Sequence, residues 1–190
     1  MLRVVVHHPG RIASGTQAAI AQERLHHRTN DPPYRPAPLE MYVSFVYCPP
    51  TQPHAYGDSL RALWTWQRPF INLEADVAPW PGALTALWEC PHAWCALPLI
   101  VHNCVNERNL GCVKFSREFI ARYPDLWASY PRNAIYDWRS LDAWLYAHVQ
   151  PALPHRHAPP ALHLNPAHVQ EALPIPGAPE GVTADASESE

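Results

Sequence analysis

Residues 69–79 read Pro69-Phe70-Ile71-Asn72-Leu73-Glu74-Ala75-Asp76-Val77-Ala78-Pro79. An apolar run ends here in two carboxylates spaced i, i+2, and a proline closes the segment. A strand buried on both faces of a parallel sheet reads as such a continuous run, and open α/β sheets bind ligands at the carboxyl ends of their strands. Side chains alternate along a strand, so Glu74 and Asp76 are expected on one face. Two carboxylates at a strand end can hold a hard divalent cation, which can in turn hold phosphates. The plain alternative is a loop with two solvated acids.

Strand and helix signals alternate to either side of this segment. Val4 to Val6 reads as a first strand and Thr16 to His27 has a helix-compatible composition. Four prolines between Asp31 and Pro38 mark a loop or linker. Met41 to Tyr47 is rich in β-branched and aromatic residues and reads as the next strand. Tyr56, Leu60, Leu63 and Trp64 recur at helical spacing, with Asp58 near the start where a carboxylate suits the helix dipole. Downstream, Pro81 opens a short helix carrying Leu84, Leu87 and Trp88. Ala96–Val101 and Leu110–Phe115 read as two strands joined by a polar loop from His102 to Asn109. Ser116 and Ser140 are placed to cap two more helices, ended by Pro124 and Pro151. Strands separated by helices imply βαβ units, so the expected fold is α/β with a mostly parallel central sheet.

Length and composition bound the rest. A chain of 190 residues with 47% apolar content and eight tryptophans is a globular domain with a real core. The net charge of −3 gives no electrostatic footprint for nucleic acid or an anionic membrane. Lys114 is the only lysine among 14 basic residues, a bias that, with abundant Ala and Pro, fits a GC-rich genome. No segment approaches the roughly 18 apolar residues of a membrane span. The N-terminus turns polar too soon for a signal peptide, so the five cysteines are expected as thiols in a reducing compartment, the cytoplasm. Beyond Pro151 three histidines, His155, His157 and His163, stand among prolines, with Leu162 and Leu164 available to anchor the last. Imidazole is a ready metal ligand near neutral pH; the plain alternative is a surface segment. From residue 174 on, proline, small and acidic residues offer too little apolar surface to offset ordering, so 1–173 is expected to fold and 174–190 to form a disordered tail.

Several motifs occur in a consistent order between about residues 40 and 165: Leu73-Glu74-Ala75-Asp76-Val77, Cys90-Pro91-His92-Ala93-Trp94-Cys95, Leu110 to Ser116, and His155-x-His157-x-Pro159 followed by His163. Together they resemble small glycosyltransferase-like proteins of bacteriophages and bacteria that have the GT-A fold. The resemblance implies a nucleotide-sugar donor and an acceptor that is a glycan, a protein or a nucleobase. It also implies a Mn²⁺ or Mg²⁺ ion bridging the donor diphosphate, held by Asp76, by Glu74 as ligand or ribose contact, and by a late histidine. That histidine would be His163, with His157 as the second choice. The cytoplasm would be that of a bacterium or of an infected host cell. The first acidic position is Glu rather than Asp, and His7-His8-Pro9 matches no nucleotide-binding loop. On the same resemblance, Asp137 and Asp142, flanking Trp138, are candidates for a catalytic base or acceptor contact; the alternative is acids favouring a helix dipole. Trp80, just after the acidic motif, is expected to face the pocket and stack on a base or sugar. Trp64, Trp88 and Trp144 fall on apolar helix stripes and are expected in the core.

Cysteine spacing supplies a rival. Cys90-x4-Cys95, with His92 between and Cys104 and Cys112 downstream, could hold a structural zinc. A Cys90–Cys95 disulfide and ordinary buried thiols are the other readings, free thiols being expected. Three function classes therefore stand: a metal-dependent glycosyltransferase, a non-catalytic binding or accessory protein that keeps the fold, and a zinc-stabilised structural module.

Overall fold

The computed structural model of the protein describes residues 1–29, 40–101, 103–132, 140–149 and 153–164. Asp137 and the expected tail 174–190 lie outside the described residues.

The chain is mixed α/β, built on two sheets. Ten strands are described: β1 Leu2–His8, β2 Met41–Tyr47, β3 Phe70–Glu74, β4 Val77–Ala78, β5 Trp94–Ala96, β6 Leu99–Val101, β7 Cys104–Asn106, β8 Cys112–Phe115, β9 His155–Arg156 and β10 Ala161–His163. The described helices are α1 Ser14–Thr29, α2 Ala55–Thr65, α3 Ala83–Glu89, α4 Arg117–Arg122 and α5 Leu141–His148. The larger sheet has the order β2-β1-β3-β8-β5-β9 and the smaller the order β4-β10-β6-β7.

The larger sheet is mixed. β1 pairs parallel with β2 and β3, and β5 parallel with β9, but β8 is antiparallel to both β3 and β5. The expectation of a mostly parallel sheet thus holds only in part. The reversal follows from the connections. Helices carry the chain from β1 to β2 and from β2 to β3, as parallel pairing requires. From β6 the chain instead turns at Asn103 (φ 63°) into the β6–β7 hairpin and enters β8 without a helix. A second break corrects the reading of Ala96–Val101 as one strand. Leu97-Pro98 divides it into β5 and β6, which belong to different sheets.

Both faces of the large sheet are covered, which explains the unbroken apolar runs. Val5, Phe70, Val113 and Phe115 face a cluster with Leu60, Leu63 and Trp64 of α2, Phe119 and Ile120 of α4, and Leu141 and Leu145 of α5. Val4, Val6, Ile71, Leu73 and Cys112 face a second cluster with Ile20 of α1 and Leu84 and Leu87 of α3. Successive residues of β1 divide between the two clusters, as strand alternation demands. Trp64 is the hub of the first, edge-on to Phe70, Phe115, Phe119 and Trp127. Trp88 and Trp144 are half-buried against these clusters, on the core side as expected. Ser116 caps α4, its Oγ accepting from the Phe119 N–H at 3.1 Å. Ser140 makes no such cap bond to α5; its hydroxyl pairs with Tyr130 Oη at 2.8 Å.

Candidate metal centre at the ends of the central strands

Strand order reverses at β1: the chain leaves β1 for β2 on one side and returns to pair β3 on the other. At such a switch point the loops after the two central strands diverge and leave a crevice. His7 and His8 end β1, Glu74 ends β3, and His7 and Glu74 are register partners. Glu74 is the last residue of β3, while Ala75 and Asp76 form the turn into β4, so strand alternation does not set the direction of Asp76. The turn is held instead by backbone bonds: Ala75 N–H to the His7 carbonyl at 3.0 Å, and Ala13 N–H to the Ala75 carbonyl at 2.9 Å.

The smaller sheet delivers the third side chain. β10 runs antiparallel to β4 with His163 opposite Val77, and the Leu164 N–H donates to the Asp76 carbonyl at 2.7 Å. His163 Nε2 comes to 3.4 Å from Asp76 Oδ2. One ligand atom each from Glu74, Asp76 and His163 lies within 4.8 Å of the others. All three line a cavity of about 300 Å³ whose wall also includes His7, His8, Arg11, Cys48, Pro49 and Tyr56.

Electrostatics make this spot unusual. Burial, with the negative charges of Asp142 and Asp76 beside it, pushes the Glu74 carboxyl up to about 8. Tyr56 Oη donates to Glu74 Oε1 at 3.1 Å and accepts from Asn72 Nδ2 at 2.7 Å. Asn72 is fully buried and also donates to the Leu110 carbonyl, so the row Asn72–Tyr56–Glu74 is fixed from the core outward. A buried carboxyl raised by neighbouring negative charge is settled by a proton or by a cation. Carboxylate oxygens with one imidazole suit a hard divalent cation such as Mn²⁺ or Mg²⁺. Glu74, Asp76 and His163 are thus a group that could hold a metal ion.

His7 and His8 belong to the same pocket but not to the ligand set. His7 Nε2 pairs with Ser59 Oγ at 2.7 Å, its ring lies 4.5 Å from that of Tyr56, and burial drives its pKa down to about 3. His8 Nδ1 accepts the Gly10 N–H at 3.1 Å, which leaves Nε2 to carry the proton of the neutral ring.

Other expected site residues fall differently. Asp142, on α5, is half-buried near enough to raise Glu74, and burial lifts its own pKa to about 6, but it does not line the cavity. Trp80 does not face the pocket: its indole donates to the Pro159 carbonyl at 2.7 Å and its ring packs against the second core cluster. His157 is not an alternative to His163. It is held on the large sheet by its N–H to the Ala96 carbonyl at 3.1 Å and gathers with Cys90 and His155.

The cysteines are free thiols, as expected, and the rival grouping of Cys90, Cys95, Cys104 and Cys112 does not occur among the described residues. Cys104 is exposed on β7 and Cys112 is buried on β8 opposite Leu73. His7, His8, Arg11, Tyr56 and Asn72 are site residues that the motifs did not mark. The signal for His7 and His8 was present, since a parallel neighbour of β3 must end beside it. Comparison of the chain with protein-family models, with curated proteins and with solved structures finds no match.

Proposed function

We propose that the protein is a metal-dependent glycosyltransferase of GT-A type that moves a sugar from a nucleotide-sugar donor to an acceptor. The observation that carries it is the convergence of Glu74, Asp76 and His163 on one point at the switch point of the large sheet. Asp76, Glu74 and His163 would hold Mn²⁺ or Mg²⁺, and Tyr56 holds Glu74 in place for it. A bound divalent cation supplies Lewis-acid stabilisation of the charge that builds on a diphosphate leaving group. Arg11, at the cavity rim, adds the guanidinium that such an anion pairs with best. Pro49, Pro50 and the Cys48 side chain supply an apolar wall for the base or sugar. Asp142 lies near Glu74 but outside the cavity lining, so its part in the reaction is to bias the charge of Glu74 rather than to take the acceptor's proton.

Incubation with a panel of UDP- and GDP-sugars, with release of the nucleoside diphosphate as readout, tests the activity. Mn²⁺-dependent release that drops at least about a hundredfold in Asp76→Asn supports it. Release that is the same in Asp76→Asn as in the wild type counts against the assignment. Metal-dependent nucleotide binding with no release from any donor would favour the non-catalytic binding protein.

A further inference from the structure

A second group of metal-binding side chains lies at the β9 edge of the large sheet, independent of the site above. Cys90 follows the last turn of α3 and is 7% exposed. β9 places His155 opposite Cys95 of β5, and two residues later the His157 N–H is tied to the Ala96 carbonyl. Cys90 Sγ and one ring nitrogen from each of His155 and His157 lie within 4.8 Å of one another. His157 Nε2 is buried and has no hydrogen-bond partner, which leaves a lone pair or a proton uncompensated. The His92 ring stacks on His155 at 4.2 Å and 14°, restricting how that imidazole turns.

We propose that Cys90, His155 and His157 form a second metal site, for Zn²⁺, with the fourth position left to water. One thiolate and two imidazoles make a borderline-soft donor set that favours zinc over the hard cations suited to Glu74 and Asp76. Bonds of about 2.0–2.3 Å put tetrahedral ligand atoms roughly 3.4–3.8 Å apart, so the three atoms need close by only about an ångström. Lys114 is part of the same surroundings: its ammonium donates to the Cys90 carbonyl and fixes the backbone that presents the thiol. Zinc here would tie β9 to the end of α3, two elements that are far apart in sequence.

Full-length protein stripped with chelator and titrated with Zn²⁺ and with Co²⁺ tests the site. The wild type is expected to bind zinc at this site, and Co²⁺ to give a thiolate charge-transfer band. His155→Ala and His157→Ala should each weaken zinc by at least about tenfold, and Cys90→Ser should abolish the band. Cys104→Ser should leave both unchanged, and Asp76→Asn should leave the thiolate band unchanged. No zinc binding by the wild type, wild-type affinity in both histidine variants, or loss of the thiolate band in Asp76→Asn would each overturn the proposal. If Cys90→Ser fails to fold, the two histidine variants decide, because His155 is exposed and His157 only half-buried.

Discussion

His163 Nε2 lies 3.4 Å from Asp76 Oδ2, although one residue follows β3 and the other ends β10. The contact is not a chance meeting of two surface side chains. The β4–β10 ladder and the Leu164 N–H to Asp76 carbonyl bond fix the two backbones against each other. His163→Ala should therefore lower affinity for Mn²⁺, and for UDP or GDP in its presence, by at least about tenfold. His155→Ala should leave both unchanged, because β10 is held by its own pairings with β4 and β6. Titration calorimetry on the two variants checks this, with equal losses contradicting it.

Tyr56→Phe removes one hydroxyl and disturbs two neighbours. Asn72 loses a buried acceptor, at a cost of about 1–3 kcal/mol. Glu74 loses the hydrogen bond that favours its ionised form, so its pKa, already raised by burial, rises further. Metal affinity near pH 7 should fall with stability, whereas Tyr47→Phe, at an exposed ring, should change neither. Urea unfolding and Mn²⁺ titration on both variants measure the contrast.

Much of this arrangement was legible in the sequence, for physical reasons that differ from element to element. The run Phe70 to Leu73 announced a strand with both faces covered, and both faces are covered. Met41–Tyr47 matched its strand because β-branched and aromatic residues have few other uses at that density. Leu162 and Leu164 were read as anchors for His163, yet Leu162 is 52% exposed, and it is the backbone ladder that holds the segment. The reversed strand β8 was legible and was missed: the polar loop from His102 to Asn109 is too short for the crossover of about a dozen residues that a parallel neighbour requires. Trp80 was misplaced because an aromatic beside a motif carries no direction until the turn is known. The Cys90, His155 and His157 grouping was hidden because β5 and β9 are paired across a long stretch of sequence.

Acid stability should report His7. Burial lowers its folded pKa from 6.5 to about 3, so its neutral form stabilises the fold fully above pH 6.5. That contribution is lost as the pH falls from 6.5 toward 3, with a slope of up to about 1.4 kcal/mol per pH unit. Glu74, raised from 4.5 to about 8, acts in the opposite sense across that window, so the wild-type curve alone is ambiguous. The difference in unfolding free energy between wild type and His7→Gln isolates the term. It should shrink as pH drops below 6.5; a difference independent of pH contradicts the burial of a neutral imidazole.

Gly111 is a place where a single methyl group should reach the site. A Cβ there would lie 2.7 Å from Leu99 Cδ1, 2.9 Å from Val77 Cγ2 and 3.1 Å from Glu74 Oε2. Gly111→Ala should cost about 1–3 kcal/mol and weaken Mn²⁺ by displacing the Glu74 carboxylate. Gly57→Ala, with nearest contacts of 3.3 and 3.4 Å inside α2, should be much milder because alanine favours the helix. Thermal unfolding of the pair provides the comparison.

The most direct test of the account is calorimetric titration of UDP and GDP into the full-length protein, with Mn²⁺ and then with EDTA, for wild type and Asp76→Asn. Nucleotide should bind the wild type only when Mn²⁺ is present, and Asp76→Asn should lose that binding while remaining folded. Binding that is equal with and without the metal, or no binding of either nucleotide under both conditions, would contradict a cation held by Glu74, Asp76 and His163 as the centre of this protein's function.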